Sequence, residues 1–192
     1  MKKMLLILLV ISGLQATAGE YVIDGAHSHV MFKIKHMTIS SVMGRFEKFK
    51  GSFTFDPKHV DQSTGNVTIE VNSVNTDVGD RDKHLKSPEF FDVAKYPEMI
   101  FKSTKVVVKA KSYFQLKGNL TLHGVTQAIT LDVEYGGTAV DPWGNTRVAF
   151  SATGKLNRKD YGLMWNKLLE TGGLLVGEEV TINIEVEAIL QK

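Results

Sequence analysis

Residues Tyr113–Tyr135 read YFQLKGNLTLHGVTQAITLDVEY. Apolar and polar side chains alternate on both sides of His123-Gly124, which divides the stretch in two. A period of two places the apolar side chains on one face of a β-strand and the polar side chains on the other. The stretch therefore predicts two antiparallel strands joined by a turn, with one buried and one solvated face.

The same period recurs along most of the chain. It is clear in Ser28–His36, Asn66–Ser73, Arg147–Leu156 and Val180–Ala188, and less regular in Gly44–Phe55 and Met99–Lys109. The apolar parity changes near Lys48–Phe49, which predicts a bend there. About eight long strands in near-sequential order predict an all-β fold, an antiparallel up-and-down barrel, more than a sandwich.

One segment interrupts this pattern with a helical signal. Arg81–Pro97 reads RDKHLKSPEFFDVAKYP, and Asp77 or Asp80 could cap a short helix that runs to about Leu85. Ser87-Pro88 should end that helix, because a residue before proline resists helical geometry. The sequence thus predicts a helix and loop inserted near residues 78–97. Three aromatic residues argue against disorder and should pack the insert over the lumen or the barrel wall: Phe90, Phe91 and Tyr96.

The N-terminus has the features of a secretory signal peptide. Lys2 and Lys3 precede the apolar run Met4–Leu14, and Ala16–Ala18 offers small residues for cleavage between Ala18 and Gly19. We therefore expect residues 1–18 to be removed and residues 19–192 to form one barrel domain in the periplasm. The apolar run is too short for a transmembrane helix, and no other segment is apolar enough to cross a bilayer.

Charge and cysteine content narrow the function classes. Removing Lys2 and Lys3 takes the formal net charge from +2 to zero, which argues against a nucleic-acid partner. The chain has no cysteine, so disulfides, lipoprotein anchoring, a cysteine nucleophile and cysteine-ligated metals are excluded.

The inward face of the predicted barrel is apolar and partly small. Gly118, Ala152, Gly154 and Ala188 share inward phases with large side chains, as Gly51 and Ser103 also should, which favours a hollow lumen over a filled one. Such a cavity suits a long apolar ligand better than a sugar or nucleotide. The predicted lumen residues are Val30, Phe32, Ile34, Phe53, Phe55, Phe101, Leu116, Leu120 and Phe150.

Five stretches carry a resemblance to a known family. They are IDGAHSHVMFKIKH (Ile23–His36), GRFEKFKGSFTFD (Gly44–Asp56), RDKHLKSPEFFDVAKYPEMIFKST (Arg81–Thr104), GNLTLHGVTQ (Gly118–Gln127) and NRKDYGLMWN (Asn157–Asn166). In these residues the chain resembles the YceI family of polyisoprenoid-binding-like bacterial proteins. Tyr161 departs from the family pattern, in which phenylalanine or tryptophan is more usual.

The resemblance implies a lipocalin-like or streptavidin-like barrel, a periplasmic location and a long amphipathic lipid in the lumen. Polyprenyl chains, isoprenoid quinones and fatty-acid amides are the ligand classes that it suggests. It supplies no catalytic residues and no cofactor.

Three polar residues are candidates for binding a ligand head group at the barrel mouth. His36 continues the inward phase of its strand, and Arg81 and His84 lie in the insert. The alternatives are a hydrogen-bonded barrel-end histidine and a solvated helix that Arg81 and Asp82 tie to the barrel.

Other polar residues give weaker signals. His27 and His29 share a strand face, but that face points outward and no third ligand is evident, so no metal site is predicted. Asn157, Arg158 and Asp160 are expected to form a buried polar clasp at a barrel corner. No nucleophile is paired with a base.

The sequence therefore predicts a periplasmic binding or carrier protein for a long-chain amphipathic lipid, without catalytic activity or cofactor. Two alternatives stay open: a periplasmic lipid- or isoprenoid-modifying enzyme, and a stress-related protein with a filled barrel. The sequence does not decide between a monomer and a homodimer.

Overall fold

The structure, a computed structural model, describes residues 18–170 and 172–192. The predicted leader lies outside these residues except for Ala18, so its cleavage stays a prediction. Within the described ranges the strands are β1 Gly19–Ile23, β2 His29–His36, β3 Ser40–Phe46, β4 Phe49–Phe55, β5 Thr64–Glu70, β6 Val74–Asn75, β7 Glu98–Ala110, β8 Tyr113–Leu122, β9 Val125–Val140, β10 Thr146–Asn157 and β11 Val176–Leu190, with one α-helix, α1, at Gly79–Lys86.

These strand segments occupy eight positions around a closed antiparallel barrel. β1 and β2 follow one another along one edge of β11, where Ile23 pairs with Ala188 and Val30 with Ile184. β3 and β4 continue each other beside them, and β5 and β6 form the next position. β7 to β11 then pair in sequence and close the barrel. The predicted eight-stranded antiparallel barrel is confirmed.

The bend predicted near Lys48 lies between β3 and β4. Ser73 bridges the break: its carbonyl accepts from the amide of Glu47 at 3.2 Å, and its hydroxyl accepts from the amide of Lys48 at 3.0 Å. The same hydroxyl donates to the carbonyl of Glu70 at 2.6 Å. These bonds satisfy backbone groups that the interrupted strands leave unpaired.

Connections at one barrel end carry most of the irregular structure. We call it the α1 end: it includes the β2–β3 turn, α1 and the loop after it, the β8–β9 turn, and the β10–β11 connection over residues 158–175. The opposite end carries residues 56–63 and the β7–β8 and β9–β10 turns. The insert expected near residues 78–97 is thus present and lies at one end of the barrel.

The start of α1 differs from the prediction. Neither Asp77 nor Asp80 is the N-cap, because Val78 takes that position without a side-chain hydrogen bond. Asp82 instead anchors the helix to the preceding strand, and its carboxylate accepts from the amide of Thr76 at 2.9 Å and from its hydroxyl at 2.5 Å. This anchor reaches back six residues along the chain, whereas the N-cap pattern pairs a side chain with an amide two or three residues later, so that pattern does not predict it.

The end of α1 agrees with the prediction, because the amide of Ser87 closes the last turn onto the carbonyl of His84 at 3.1 Å. No helix in the described ranges has the length and apolar content that a bilayer-spanning helix needs.

Glycines on the inward face pack tightly against neighbouring strands. A Cβ added at Gly118 would lie 2.4 Å from the Phe101 ring, and one at Gly154 would lie 2.6 Å from Leu131. The expectation that these positions leave empty volume is therefore wrong. They let side chains of the adjacent strand lie flat against the backbone instead.

A charge cluster near the opposite end ties three parts of the barrel together. The guanidinium of Arg147 donates to Asp24 at 2.7 Å, to Asp141 at 2.8 Å and to Glu187 at 2.5 Å. Asp24 follows β1, Asp141 opens the β9–β10 turn, and Glu187 lies on β11. The mostly buried side chain of Arg147 thus links the end of β1 and strand β11 to the β9–β10 turn.

This cluster should make stability depend on pH in acid. Hydrogen bonds from Arg147 and then His27 lower the pKa of Asp24 to about 2. Burial would raise the pKa of Asp141, but hydrogen bonds from Arg147 and Asn145 outweigh it and hold that pKa well below its usual range. Because both pKa values are lowered on folding, the stabilisation is present above pH ~4 and is lost as pH falls towards 2.

We expect Arg147→Met to lower the melting temperature at neutral pH and to reduce its further fall between pH 4 and pH 2. Lys155→Met is the matched control, because its ion pair with Glu179 is exposed and should contribute little. Thermal unfolding followed by circular dichroism measures both. If the melting temperature of Arg147→Met fell between pH 4 and pH 2 as much as that of the wild type, the Arg147 cluster would not be the source of the acid dependence.

Candidate ligand-binding cavity

The barrel interior encloses a cavity of about 450 Å³. This volume lies within the range of roughly 300–1,000 Å³ that is common for small-molecule sites. The structure places all nine predicted lumen residues in its lining: Val30, Phe32, Ile34, Phe53, Phe55, Phe101, Leu116, Leu120 and Phe150. Their contact with a ligand stays a prediction.

Two further groups of residues line the cavity and were not among the predicted lumen residues. One group lies on strands in the same inward phase, so the alternation could have found it: Phe46, Ile69, Met99, Phe114, Leu131, Val133 and Ile182. The other lies in connections, where no strand parity exists: Leu85, Leu163, Trp165 and Leu175. Phe90 and Phe91 also line the cavity from a connection, which confirms their predicted packing over the lumen. The second group is brought to the cavity by the α1 end alone.

Aromatic rings from two separate connections meet at the α1 end. Phe90, after α1, lies 5.0 Å from Trp165 in the β10–β11 connection, measured between ring centroids. His84 lies 5.0 Å from Phe90 and 4.8 Å from Trp165, edge-on to both. These three side chains all line the cavity and form part of its wall at this end.

Two other aromatic residues of the insert have different positions. Phe91 packs edge-on to Phe46 at 6.0 Å and lines the cavity. Tyr96 packs instead on His123 at 4.5 Å, at the β8–β9 turn. The insert therefore covers the lumen with Phe90 and Phe91 and holds to the barrel through Tyr96.

All three predicted head-group residues line the cavity at the α1 end. His36 is the last residue of β2 and pairs with Ser40. Arg81 donates from Nε to the hydroxyl of Thr76 at 2.7 Å and from Nη2 to its carbonyl at 2.8 Å. His84 Nε2 lies 2.6 Å from a carboxylate oxygen of Glu89. Their role in binding stays a prediction.

Arg158 is a further cavity residue, and it is only 3% exposed. Its guanidinium donates to the carbonyls of Gly177 at 2.8 Å, of Leu163, and of Val176 at 3.5 Å. Burial lowers the pKa of Arg158, and nearby Glu178 partly offsets that effect.

The predicted buried clasp is confirmed for Arg158, and half-buried Asn157 accepts from the amide of Lys159 at 2.9 Å. Asp160 is exposed, so its predicted place in a buried clasp is wrong. Arg158 also continues the inward phase of Leu156 into the cavity, a position that the predicted clasp did not include.

Tyr161 packs in the same corner with 1% of its surface exposed. Its hydroxyl has no hydrogen-bond partner among the described residues. Burial raises the pKa of Tyr161 to about 12. An unpaired buried hydroxyl costs free energy, because it loses its bonds to water on folding.

We therefore expect Tyr161→Phe to leave the free energy of unfolding unchanged or to raise it by about 1 kcal/mol. Tyr135→Phe is the matched control, because the Tyr135 hydroxyl is bonded to Thr138 and its removal should cost about 1 kcal/mol. Urea unfolding measures both. A clear loss of stability in Tyr161→Phe would show that the hydroxyl has a stabilising role.

Among the described residues, His27 and His29 do not together form a potential metal site. The structure instead groups His27 with two carboxylates. Asp24, His27 and Glu187 bring their ligand atoms within 4.8 Å of one another. Arg147 already neutralises both carboxylates, and His29 is not a member. This group is best described as part of the Arg147 cluster.

Comparison with known proteins gives consistent matches. A family model described as "YceI-like domain" matches residues 21–188. Protein YceI of Salmonella newport is 44% identical over 92% of this chain and 90% of its own length. The crystal structure of Burkholderia cenocepacia BcnA has a TM-score of 0.76 at 22% identity, covering 86% of this chain and 98% of its own. A polyisoprenoid binding domain from Saccharophagus degradans has a TM-score of 0.69 at 15% identity, covering 91% and 100%.

Proposed function

Because the chain belongs to the YceI-like family, we propose that its barrel binds a long-chain amphipathic lipid in the lumen. The protein would act as a periplasmic binding or carrier protein. The ligand classes are a polyisoprenoid, an isoprenoid quinone or a fatty-acid amide. The location rests on the predicted leader at residues 1–18.

The observation that carries this proposal is the apolar cavity itself. Its wall consists mainly of aliphatic and aromatic side chains, and its charged residues lie at the α1 end. An apolar chain with one polar head matches this distribution. The structure of the Saccharophagus degradans polyisoprenoid binding domain has the same fold, which supports a ligand of that kind. The cavity also argues against the alternative of a filled barrel.

The energetics favour a long ligand over a short one. Burying one five-carbon isoprene unit contributes roughly 4 kcal/mol at about 0.8 kcal/mol per carbon. Association and ordering of the chain cost roughly 4–15 kcal/mol. Three or more units, or a long acyl chain, are therefore needed for useful affinity.

The polar side chains of the cavity favour binding over catalysis. His84 is the best candidate for a general base, but it is bonded to Glu89 and packed between Phe90 and Trp165. The hydroxyl of Thr76 is bonded to Asp82 and Arg81. In both cases the bonds position the side chain and do not pair a nucleophile with a base.

The proposal is tested with protein expressed with its leader and purified from the periplasm. Native mass spectrometry and analysis of an organic extract should detect one lipid per chain. Added farnesol should then change the fluorescence of Trp165, which lines the cavity. Trp143 is 79% exposed in the β9–β10 turn and should not respond.

The two tryptophans provide the matched controls. Trp143→Phe should keep the farnesol response, and Trp165→Phe should lose it. Recovery of no lipid together with no response in Trp143→Phe would overturn the proposed function.

A further inference from the structure

The four arginines of the chain divide into two pairs with different electrostatic environments. Arg45 contacts Glu47 and Asp77, and Arg147 contacts the three carboxylates described above. Arg81 and Arg158 have no carboxylate within 4.0 Å among the described residues. Neutral oxygens hold both of them: those of Thr76 for Arg81, and backbone carbonyls for Arg158. Only this second pair lines the cavity.

The bonds to neutral oxygens leave donor capacity on both guanidinium groups. A guanidinium has five N–H groups and no acceptor. Arg81 uses Nε and Nη2, which leaves Nη1 without a protein partner in the described part of the chain. Arg158 uses Nε and Nη1 at short range, and Nη2 reaches Val176 only at 3.5 Å. Arg81 is thus held along its Nε–Nη2 edge and keeps both N–H groups of Nη1. Arg158 is held through all three nitrogens but uses only three of its five N–H groups, so it also keeps donors for another acceptor.

The rest of the lining does not compensate these charges. Its other ionisable members are Lys35, His36 and His84, and no aspartate or glutamate belongs to the described lining. Asp82 supports Arg81 indirectly, through the hydroxyl of Thr76 to which both are bonded. Glu178 acts on Arg158 at longer range and pairs with Lys159 at 2.6 Å. The α1 end of the cavity therefore carries an excess of positive charge.

An excess of positive charge next to an apolar cavity favours an anionic ligand. A buried ion without a counter-ion loses solvation that neutral dipoles restore only in part. An anion in the cavity restores it, and the low-dielectric surroundings strengthen the attraction. The planar guanidinium also matches the paired oxygens of a phosphate or carboxylate.

From this arrangement we infer that the ligand head group is an oxyanion, a phosphate or a carboxylate, bound by Arg81 and Arg158 at the α1 end of the lumen. The apolar chain then extends towards the opposite end. This inference rests on the proposed lipid-binding function and narrows it from amphipathic lipids in general to anionic ones.

The opposite end of the cavity offers no equivalent site. Its polar lining residues are neutral: Ser52, Thr54, Ser63 and Thr64. The hydroxyl of Ser63 has no partner among the described residues, but a single hydroxyl binds an anion far more weakly than two guanidinium groups. The polarity of the two ends therefore fixes the direction of the bound lipid.

The test compares ligands that share a chain and differ only in the head. Farnesyl phosphate is compared with farnesol, and palmitate with palmitamide, by titrating the Trp165 fluorescence of the Trp143→Phe protein. We expect each anion to bind roughly 10- to 100-fold tighter than its neutral partner. The larger of the two ratios identifies phosphate or carboxylate as the preferred head.

Single substitutions then assign the effect. Arg81→Met and Arg158→Met should each reduce binding of the preferred anion roughly tenfold or more and leave farnesol affinity within about threefold. Arg45→Met is the matched control, because Arg45 lies outside the cavity lining and should change neither. Arg158→Lys covers the case in which Arg158→Met fails to fold, and it should keep part of the preference because it keeps the charge. Ser63→Ala should have no effect.

The outcomes separate this inference from the proposed function. Equal affinity for anionic and neutral partners, or an anion preference unchanged in Arg81→Met and Arg158→Lys, would overturn the oxyanion inference while lipid binding stands. A preference lost in Ser63→Ala would place the head at the opposite end and overturn it too. Failure of all four ligands to bind would remove the proposed function itself.

Discussion

Replacing Ala152 with tryptophan should abolish lipid binding and leave the barrel folded. Ala152 lies in the middle of β10, lines the cavity and faces Val133 and Ile184 on the adjacent strands. An indole at this position projects into volume that a ligand would use. If it displaces about one isoprene unit, roughly 4 kcal/mol of burial is lost, which corresponds to a decrease in affinity of about 10³-fold.

The stability of this variant should change little compared with its binding. Adding a side chain to a packed core typically costs about 1–3 kcal/mol, but here the cavity provides room for part of it. Ala128→Trp is the matched control, because Ala128 is exposed on the neighbouring strand β9. Titration with farnesyl phosphate and thermal unfolding measure the two effects. Full binding in a folded Ala152→Trp protein would show that the ligand does not occupy the lumen.

Replacing Tyr21 with alanine should cause the largest loss of stability of any substitution considered. Tyr21 has no exposed surface, and its ring stacks on Phe53 at 5.7 Å and meets Phe55 edge-on at 6.4 Å. It lies on β1, which hydrogen-bonds to β4 on one side and β11 on the other. Its removal opens a cavity at the position where the barrel closes.

Large aromatic-to-alanine changes in a core cost about 3–5 kcal/mol. For a protein of this size each kcal/mol lowers the melting temperature by about 2–4 °C, so a fall of about 10 °C is expected. Val22→Ala on the same strand is the matched control, because Val22 is 40% exposed and points outward. It should change the free energy of unfolding by about 0.5 kcal/mol. A similar effect of both changes would contradict a specific role of Tyr21 in closure.

The proposed head-group site and the cluster around Tyr21, where the barrel closes, lie in different parts of the barrel. Tyr21, Phe55, Val148 and Ala188 form a second core cluster apart from the larger core. The arginine-containing end of the cavity lies at α1. Tyr21→Ala should therefore reduce stability at all ligand concentrations. Arg81→Met should cost the ligand-free protein only its two bonds to Thr76, and its main effect should be on the stabilisation that the ligand adds.

Much of the barrel could be predicted from local sequence. Alternation along Tyr113–Tyr135 and the similar stretches predicts which side chains face inward, because the pleat has a fixed period of two. The parity change near Lys48 predicts the bend for the same reason. Ser87-Pro88 marks the end of α1, since proline constrains the residue before it. Each of these features depends on residues close together in the chain.

The site itself could be predicted only in part. His36, Arg81 and His84 were identified at the cavity mouth, whereas Arg158 was identified only as part of a clasp and Trp165 was not identified. Arg158 and Trp165 both lie in the β10–β11 connection, at the α1 end of the barrel. The empty volume was inferred from Gly118 and Gly154, yet neighbouring side chains fill those positions.

The sequence by itself determined the strands, their inward faces and the apolar character of the lumen, because these follow from backbone geometry and side-chain period. Only the tertiary structure decided that a cavity of about 450 Å³ persists, since packing density depends on how side chains from different strands fit together. It also decided that Arg81 and Arg158, distant in the chain, line one end of that cavity without a carboxylate partner. A net charge in a cavity is a property of the assembled wall and not of any segment.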